Sequence, residues 1–139
     1  MLDADIWVKG NRMNRKFESG KAYIPSPTVS QAVISGSYAF ISGQISYDAG
    51  TGEYVKDGIA GQTRRVLGNI QGILRDMGRT LQDIVYFDIT LSSMELFGEM
   101  DRAYAEFFPF TCPPARKTVA SEIWGGMDIE ISAIVSMTD

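Results

Sequence analysis

The chain has 139 residues, of which 45% are hydrophobic and 22% are charged, and its formal net charge is −4. This composition is typical of one globular domain, and the negative charge disfavours nucleic-acid binding, which usually depends on a basic surface. The chain has no histidine and one cysteine, which excludes Ser-His-Asp and Cys-His catalysis, histidine-containing or cysteine-only zinc sites and an intramolecular disulfide.

Residues 1–13 are predicted to be an N-terminal extension, followed by a single domain over residues 14–139. The extension, MLDADIWVKGNRM, lacks the basic and apolar regions of a signal peptide. No apolar run in the chain approaches the ~20 residues of a membrane span. We therefore expect a cytoplasmic protein that does not bind membranes.

The first half of the domain is predicted to be mainly strands. Residues 14–19 form a first strand, and residues 30–35 and 38–46 form a hairpin around Gly36-Ser37, because both segments are rich in Val, Ile, Phe and Tyr. Residues 59–77 have the apolar spacing of an amphipathic helix that ends at Gly78.

The second half alternates between the two periodicities. Residues 84–91 alternate as a strand, with Val85 and Phe87 on one face and Ile84 and Tyr86 on the other, and residues 94–108 return to helical spacing. The order predicts an α+β fold in which two helices cover one face of a mixed sheet of five to six strands. The uncovered face, which we expect to pack against other subunits, would carry Tyr86, Asp88, Thr90, Arg116, Thr118, Glu130 and Ser132.

Two charged residues stand out in the last segment, PPARKTVASEIWGGMDIEISAIV, which predicts two strands joined by a tight turn at Trp124-Gly125-Gly126. In such a hairpin Arg116 and Glu130 share a face and lie about 13 Å apart along the strands. They would be either two ends of a small-molecule pocket or groups that meet partners across an interface. An arginine binds a carboxylate through two hydrogen bonds, and a partly buried glutamate can hold a water and exchange protons. This chemistry suits hydrolysis of a small carboxylate-bearing substrate, whereas a purely structural role for both residues is the more common case.

Four segments resemble the reactive intermediate deaminase family, also called Rid, YjgF or endoribonuclease L-PSP-like. They are VSQAVISGSYAFISGQI, GIAGQTRRVLGNIQGIL, AYAEFFP, and the pair PPARKTV and DIEISAIV. They occur in the family's order and match residues 14–137 in one register. The resemblance implies a chorismate-mutase-like domain that assembles as a homotrimer, with clefts between subunits. It also implies hydrolysis of 2-imino acids, such as 2-iminobutanoate and 2-iminopropanoate, to 2-keto acids and ammonia, without a metal or an organic cofactor.

The resemblance also assigns the site residues. Arg116 matches the family arginine that holds the substrate carboxylate, and Glu130 matches the glutamate associated with the attacking water. The cleft-lining Ser-Gly-Gln segment corresponds to Ser42, Gly43 and Gln44.

Three further substrate-binding positions depart from the family pattern. Val29 stands where the family has a pocket tyrosine, Asp101 where it often has asparagine, and Thr118 where it has cysteine. Without the tyrosine the pocket lacks an aromatic wall, which Tyr23 or Tyr47 would have to refill. Asp101 adds negative charge near a site meant for a carboxylate.

Two alternative functions remain open at this point. The cleft could bind a keto acid without turnover, and the three departures favour this regulatory role. An endoribonuclease or translation inhibitor, a label that family members have also carried, is disfavoured by the negative charge and the absence of histidine.

Overall fold

The computed structural model describes residues 6–9 and 12–139, and the side chains of residues 14–139. Among the described residues no helix has the length and apolar character needed to cross a membrane. The helices are α1 (Ile59–Asp76) and α2 (Phe97–Ala105). The strands are β1 (Ile6–Lys9), β2 (Arg12–Phe17), β3 (Ala32–Ser35), β4 (Tyr38–Gln44), β5 (Tyr47–Asp48), β6 (Glu53–Tyr54), β7 (Ile84–Leu91), β8 (Ala115–Ala120) and β9 (Ile129–Ser136).

One mixed sheet organises the described chain, with the strand order β1-β2-β3-β4-β9-β7-β8. Only the β7–β8 pair in this sheet is parallel, and β5 and β6 form a separate small hairpin. The α+β architecture with two helices on one face is confirmed, and β1 adds an edge strand. Residues 6–9 and 12–13 of the predicted extension thus belong to strands, whereas residues 1–5, 10 and 11 lie outside the described residues. The division of the chain at residue 14 stays a prediction.

The hydrophobic core lies between the helices and one face of the sheet. The apolar stripe that predicted the helix over residues 59–77 is the buried face of α1. It packs against the inward-facing residues of β7 and β9, which alternate with more exposed ones. The buried residues of these three elements include Val66, Leu67, Ile70, Ile73, Leu74, Phe87, Ile89, Leu91, Ile129, Ile131 and Val135.

The start of β7 departs from the predicted alternation. Ile84 is buried and Val85 is 42% exposed, the reverse of the expected faces. The pairing between β7 and β9 shifts register between Ile84 and Tyr86, and such an irregularity inverts the facing of the residues before it. From Tyr86 onwards the predicted faces are right.

The predicted hairpin between the last two strands is wrong. β7 lies between β8 and β9, and residues 121–128 are long enough to carry the chain around it. Arg116 is paired with Phe87, which is in the core, whereas Glu130 is paired with Thr90 on the opposite face. Arg116 therefore lies on the helix-covered side of the sheet and Glu130 on the open side.

Thr118 shares the helix-covered side with Arg116, because it is paired with the buried Ile89. The expectation that Arg116 and Thr118 face the open side is therefore wrong. The error came from the assumed hairpin. The alternation of residues within a strand does not by itself determine which of its two faces packs against the helices.

Candidate functional site

Glu130 borders a pocket of about 300 Å³ on the open side of the sheet. Gly43 of β4 lies directly beside it, and a Cβ added at Gly43 would overlap the Glu130 carboxylate. The glycine therefore leaves the space that the Glu130 side chain occupies. The pocket is lined by Tyr23, Pro25, Ser26, Gly43, Ile45, Trp124 and Glu130.

Burial raises the pKa of Glu130 above the ordinary value for a glutamate. Among the described residues, no hydrogen bond or ion pair to its carboxylate is present. A half-buried carboxylate without a partner is costly unless a water, a proton or a ligand satisfies it. Such a carboxylate can hold a water molecule. It can also accept a proton at a pH closer to neutral than an exposed glutamate does.

A polar network around the buried Gln62 fixes the start of β9, two residues before Glu130. The Gln62 amide of α1 donates to Asp128 Oδ2 at 2.9 Å, and the Asp128 backbone N–H donates to Gln62 Oε1 at 3.0 Å. The Ser92 hydroxyl donates to the other Asp128 oxygen at 2.8 Å. Gln62 is fully buried, so this network anchors β9 to the helix and sets the position of Glu130.

The aromatic wall that Val29 cannot supply comes from Tyr23. Gln31 is fully buried and holds the loop that carries this tyrosine. Its side-chain amide donates to the Ser19 carbonyl at 3.1 Å and to the Tyr23 carbonyl at 3.0 Å, while its oxygen accepts from the Ser19 N–H at 2.8 Å. Val29 is 47% exposed and does not line the pocket.

Three more aromatic rings extend from Tyr23. Tyr47 and Tyr54, on β5 and β6, lie 5.5 and 5.8 Å from its ring centroid, and Trp124 lies 5.1 Å from Tyr54. Burial, together with Tyr23, raises the pKa of Tyr54 to about 12. The cluster is a continuous aromatic surface that ends at the pocket.

Arg116 occupies a different environment, beside α2. Its Nη1 donates to Asp101 Oδ1 at 2.8 Å. Its guanidinium lies over the Tyr104 ring at 4.6 Å and near the Phe97 ring at 5.5 Å, which limits the directions in which it can point. The side chain of Arg116 is 21% exposed and that of Asp101 is 47% exposed, so this ion pair forms at the surface.

One copy of the chain does not bring Arg116 and Glu130 together. Arg116 and Glu130 are separated by two inter-strand spacings across the sheet and by three residues along the strands. At ordinary strand dimensions their Cα atoms lie roughly 14 Å apart. They also project from opposite faces of the sheet. Of the two arrangements that the sequence left open, a single pocket within one chain is therefore excluded.

Only some of the remaining predicted site residues lie at the pocket. Gly43 lines it, whereas the Ser42 hydroxyl donates to the Ser30 carbonyl at 2.6 Å and connects β4 to the segment before β3. Gln44 is 3% exposed, and its amide donates to the Ser42 carbonyl at 3.1 Å. Its Oε1 is buried without a hydrogen-bond partner among the described residues. Thr118 lies on the same face as Arg116, away from Glu130.

Sequence reasoning missed Gln31 and Tyr54 as parts of this site. Gln31 acts through backbone groups of a loop, and Tyr54 reaches the cluster through a two-residue strand. The glutamine within the Ser-Gln-Ala segment was a usable signal, because a fully buried glutamine usually holds specific hydrogen-bond partners. No comparable spacing signal pointed to Tyr54.

The chain matches known proteins over most of its length. Residues 20–137 match the family model described as endoribonuclease L-PSP. A RutC family protein of Pyrococcus horikoshii is 40% identical over 110 residues, which cover 79% of this chain and 87% of that protein. The 2-iminobutanoate/2-iminopropanoate deaminase of Rattus norvegicus is 27% identical over 122 residues, which cover 88% of this chain and 89% of that protein.

Solved structures share the fold. The Rid-family protein YyfA of Yersinia pestis superposes with a TM-score of 0.85 at 31% identity, covering 88% of this chain and 98% of that one. E. coli TdcF, solved with bound serine, superposes with a TM-score of 0.82 at 27% identity, covering 88% of this chain and 98% of that one. The match of one family model over residues 20–137, supported by these relatives, shows that the chain belongs to the endoribonuclease L-PSP family, the Rid family of proteins.

Proposed function

We propose that this protein hydrolyses 2-imino acids to 2-keto acids and ammonia, at a site that two copies of the chain form together. The observation that carries the proposal is Glu130, an unpaired and half-buried carboxylate beside a pocket of about 300 Å³. Imine hydrolysis needs a group that positions a water and accepts its proton, and it needs no histidine, because a protonated imine carbon is already electrophilic. The 27% identity to the rat 2-iminobutanoate/2-iminopropanoate deaminase supports the same reaction class.

Arg116 is the residue proposed to hold the substrate carboxylate. Its guanidinium is fixed on the Tyr104 ring and gives one nitrogen to Asp101. Among the described residues no second carboxylate pairs with the guanidinium, so its remaining edge can face a substrate. A guanidinium edge of this kind binds a carboxylate through two hydrogen bonds.

A second copy is needed to join the two groups. Arg116 lies on the edge strand β8, and Glu130 lies on the open face of the sheet. Two apolar side chains on that face, Phe40 and, at the β8 edge, Val119, are each more than 40% exposed. Exposed apolar side chains of this kind are typical of a surface covered by another subunit. Packing the open face of one copy against the β8 edge of the next would bring Glu130 of the first beside Arg116 of the second. A closed ring of three such contacts is the homotrimer that we propose.

The reaction then follows from these positions. Arg116 binds the carboxylate of the substrate and holds the protonated imine near Glu130. A water held by the Glu130 carboxylate adds to the imine carbon and gives one proton to Glu130, which leaves a hydroxyl and an amino group on that carbon. Glu130 returns the proton to the amino nitrogen, the C–N bond breaks with its electron pair on nitrogen, and ammonia leaves. The hydroxyl gives its proton to the Glu130 carboxylate as the keto group forms, and Glu130 then releases that proton to the departing ammonia or to water.

A second candidate function is binding of a small carboxylate without turnover. This hypothesis starts from the ion pair between Arg116 and Asp101, because a guanidinium shared with Asp101 could bind a ligand carboxylate reversibly without orienting the ligand for hydrolysis. Under this hypothesis the pocket would bind a 2-keto acid as a regulatory ligand. The two functions differ in turnover and not in the residues that contact the ligand.

A coupled assay tests the proposal. A threonine dehydratase generates 2-iminobutanoate in the presence of semicarbazide, which traps the remaining imine as an ultraviolet-absorbing semicarbazone. We expect the wild-type protein to suppress trapping in proportion to its concentration. We expect Arg116→Ala and Glu130→Gln each to abolish this effect.

Arg64→Ala is the matched control, because Arg64 also pairs with a carboxylate, Glu106, but away from the pocket. It should retain full activity. Activity that survives in Arg116→Ala would refute the proposed site. Binding of 2-oxobutanoate to a wild-type protein without imine hydrolysis would support the second candidate instead.

A further inference from the structure

The aromatic cluster beside Glu130 consists of Tyr23, Tyr47, Tyr54 and Trp124. Neighbouring rings have centroids 5.1 to 5.8 Å apart and are tilted or edge-on to one another, which is the favourable arrangement for aromatic pairs. Tyr23 and Trp124 line the pocket directly, whereas Tyr47 and Tyr54 contact these rings without lining it.

Trp124 is the most exposed large hydrophobic side chain among the described residues, at 64%. It lies in a short turn in which both following residues, Gly125 and Gly126, have positive φ angles of 70° and 67°. The turn therefore presents the indole at the mouth of the pocket, with Tyr54 as its only aromatic neighbour among the described residues. In a single copy of the chain, most of the indole surface is available to a ligand.

The size of the pocket is larger than a short aliphatic substrate needs. A volume of about 300 Å³ corresponds to roughly ten water molecules in the bulk liquid, whereas the whole of 2-iminobutanoate has only seven non-hydrogen atoms. Pro25 and Ile45 add further apolar surface. The volume and the apolar lining together fit a bulky side chain.

The charge of the pocket favours a neutral side chain. Apart from the phenol of Tyr23, Glu130 is the one ionisable group that lines it, and the proposed reaction commits that carboxylate to water and the imine. Among the described residues of one copy, the pocket has no second acid to pair with a cationic side chain and no basic residue to pair with an anionic one, and the Arg116 proposed to come from the adjacent copy is committed to the substrate carboxylate. A planar, uncharged ring can instead stack on Trp124 and Tyr23.

On this basis, and resting on the proposed deaminase function, we infer that the preferred substrates are 2-imino acids with an aromatic side chain, which binds between Tyr23 and Trp124. The carboxylate of such a substrate would bind Arg116 of the adjacent copy. The imine carbon would lie at Glu130. Trp124 would thereby determine specificity without taking part in the chemistry.

The test compares two imines made in the same way. An amino acid oxidase with catalase generates the imines of phenylalanine and of 2-aminobutanoate, and semicarbazide trapping reports the hydrolysis of each. We expect wild-type kcat/KM to be higher for the aromatic imine. Trp124→Ala should lower it about three- to tenfold for that imine alone, and Trp124→Phe should retain most of it.

Met94→Ala is the control, because Met94 is 48% exposed but lies outside the pocket. It should leave both rates unchanged. Equal losses for both imines in Trp124→Ala, or no preference in the wild type, would overturn the inference. A fall in molecular mass of Trp124→Ala by light scattering would also overturn it, because Trp124 would then be an interface residue.

Calorimetric binding of phenylpyruvate and 2-oxobutanoate separates this inference from the proposed function. If neither imine is hydrolysed but phenylpyruvate binds more tightly, and only while Trp124 is present, the aromatic subsite stands and the deaminase does not. If the aliphatic imine is hydrolysed and phenylpyruvate does not bind, the deaminase stands and the aromatic subsite does not.

Discussion

Replacing Asp101 by asparagine should improve substrate binding. In the free protein the Asp101 carboxylate accepts a hydrogen bond from Arg116 Nη1 at 2.8 Å, so it occupies part of the guanidinium and opposes a second negative charge there. Asparagine keeps an oxygen that can accept the same hydrogen bond but removes the charge. The change therefore keeps the hydrogen bond that positions Arg116 and removes the negative charge that neutralises it.

The size of the effect follows from the exposure of the pair. A substrate carboxylate on the remaining guanidinium nitrogens would lie about 5 Å from Asp101, where repulsion between unit charges is about 1 kcal/mol in water and about 3 kcal/mol near a protein surface. Because Asp101 is 47% exposed, we take the lower value. About 1 kcal/mol corresponds to a KM lowered roughly fivefold. The value of kcat should stay the same, since the repulsion acts on the ground state and the transition state alike.

The assay is imine hydrolysis over a range of substrate and salt concentrations. The gain in Asp101→Asn should shrink as salt rises, because added ions screen the charge that the substitution removes. Asp101→Ala removes the hydrogen-bond acceptor as well, and we expect it to lower kcat, because Arg116 loses a contact that orients it. An unchanged or higher KM in Asp101→Asn at low salt would refute the reasoning.

Three further substitutions test the packing around the site. Gly43→Ala should lower activity on the order of 10- to 100-fold, because the new Cβ displaces the Glu130 carboxylate, whereas Gly20→Ala, with open space around its Cβ, should not. Gly68→Ala, in an exposed and uncrowded position of α1, should raise stability by about 1 kcal/mol and Tm by about 3 °C in a thermal melt. Burial raises the pKa of Glu130, so its contribution to stability is present below the ordinary glutamate pKa and is lost as the pH rises through the raised value. Glu130→Gln should therefore have a higher melting temperature than the wild type at pH 7 and the same melting temperature at pH 4. An equal difference at both pH values would contradict burial of the charged carboxylate as the cause.

Local periodicity predicted the elements well. The helix expected over residues 59–77 is α1, Ile59–Asp76, and the strand expected over residues 84–91 is β7, Ile84–Leu91. These elements bury one face each, so their apolar spacing is visible in the sequence. The inverted start of β7 was not visible, because the register shift before Tyr86 depends on pairing with β9.

The faces of the site residues could not be predicted in the same way. A turn with two glycines suits a hairpin, but here the segment between β8 and β9 passes around β7, and only tertiary packing distinguishes these cases. The sequence therefore identified Arg116 and Glu130 as candidate site residues, but it did not show that they lie on opposite faces of the sheet. The ion pair with Asp101 was anticipated only as a nearby charge, since its geometry depends on how α2 packs beside β8.

The opposite faces of Arg116 and Glu130 lead to a last prediction, which tests whether the site is shared between copies. Arg116→Ala and Glu130→Gln proteins, each inactive alone, are unfolded together, refolded and assayed. If the arginine of one copy meets the glutamate of another, some mixed interfaces contain both native residues. With random assembly of equal amounts, about one quarter of the interfaces in a closed ring are intact, so about one quarter of wild-type activity should return.

A site confined to one chain gives a different result in the same experiment. No mixed assembly could then contain both native residues in one site, and activity would stay at the level of the single variants. The control is a mixture of Arg116→Ala with the double variant Arg116→Ala/Glu130→Gln, which has no native arginine and should remain inactive. Because the two residues lie on opposite faces of one sheet, activity that requires both of them requires a second copy. Failure of complementation between subunits that demonstrably exchange would therefore remove Arg116 or Glu130 from the reaction.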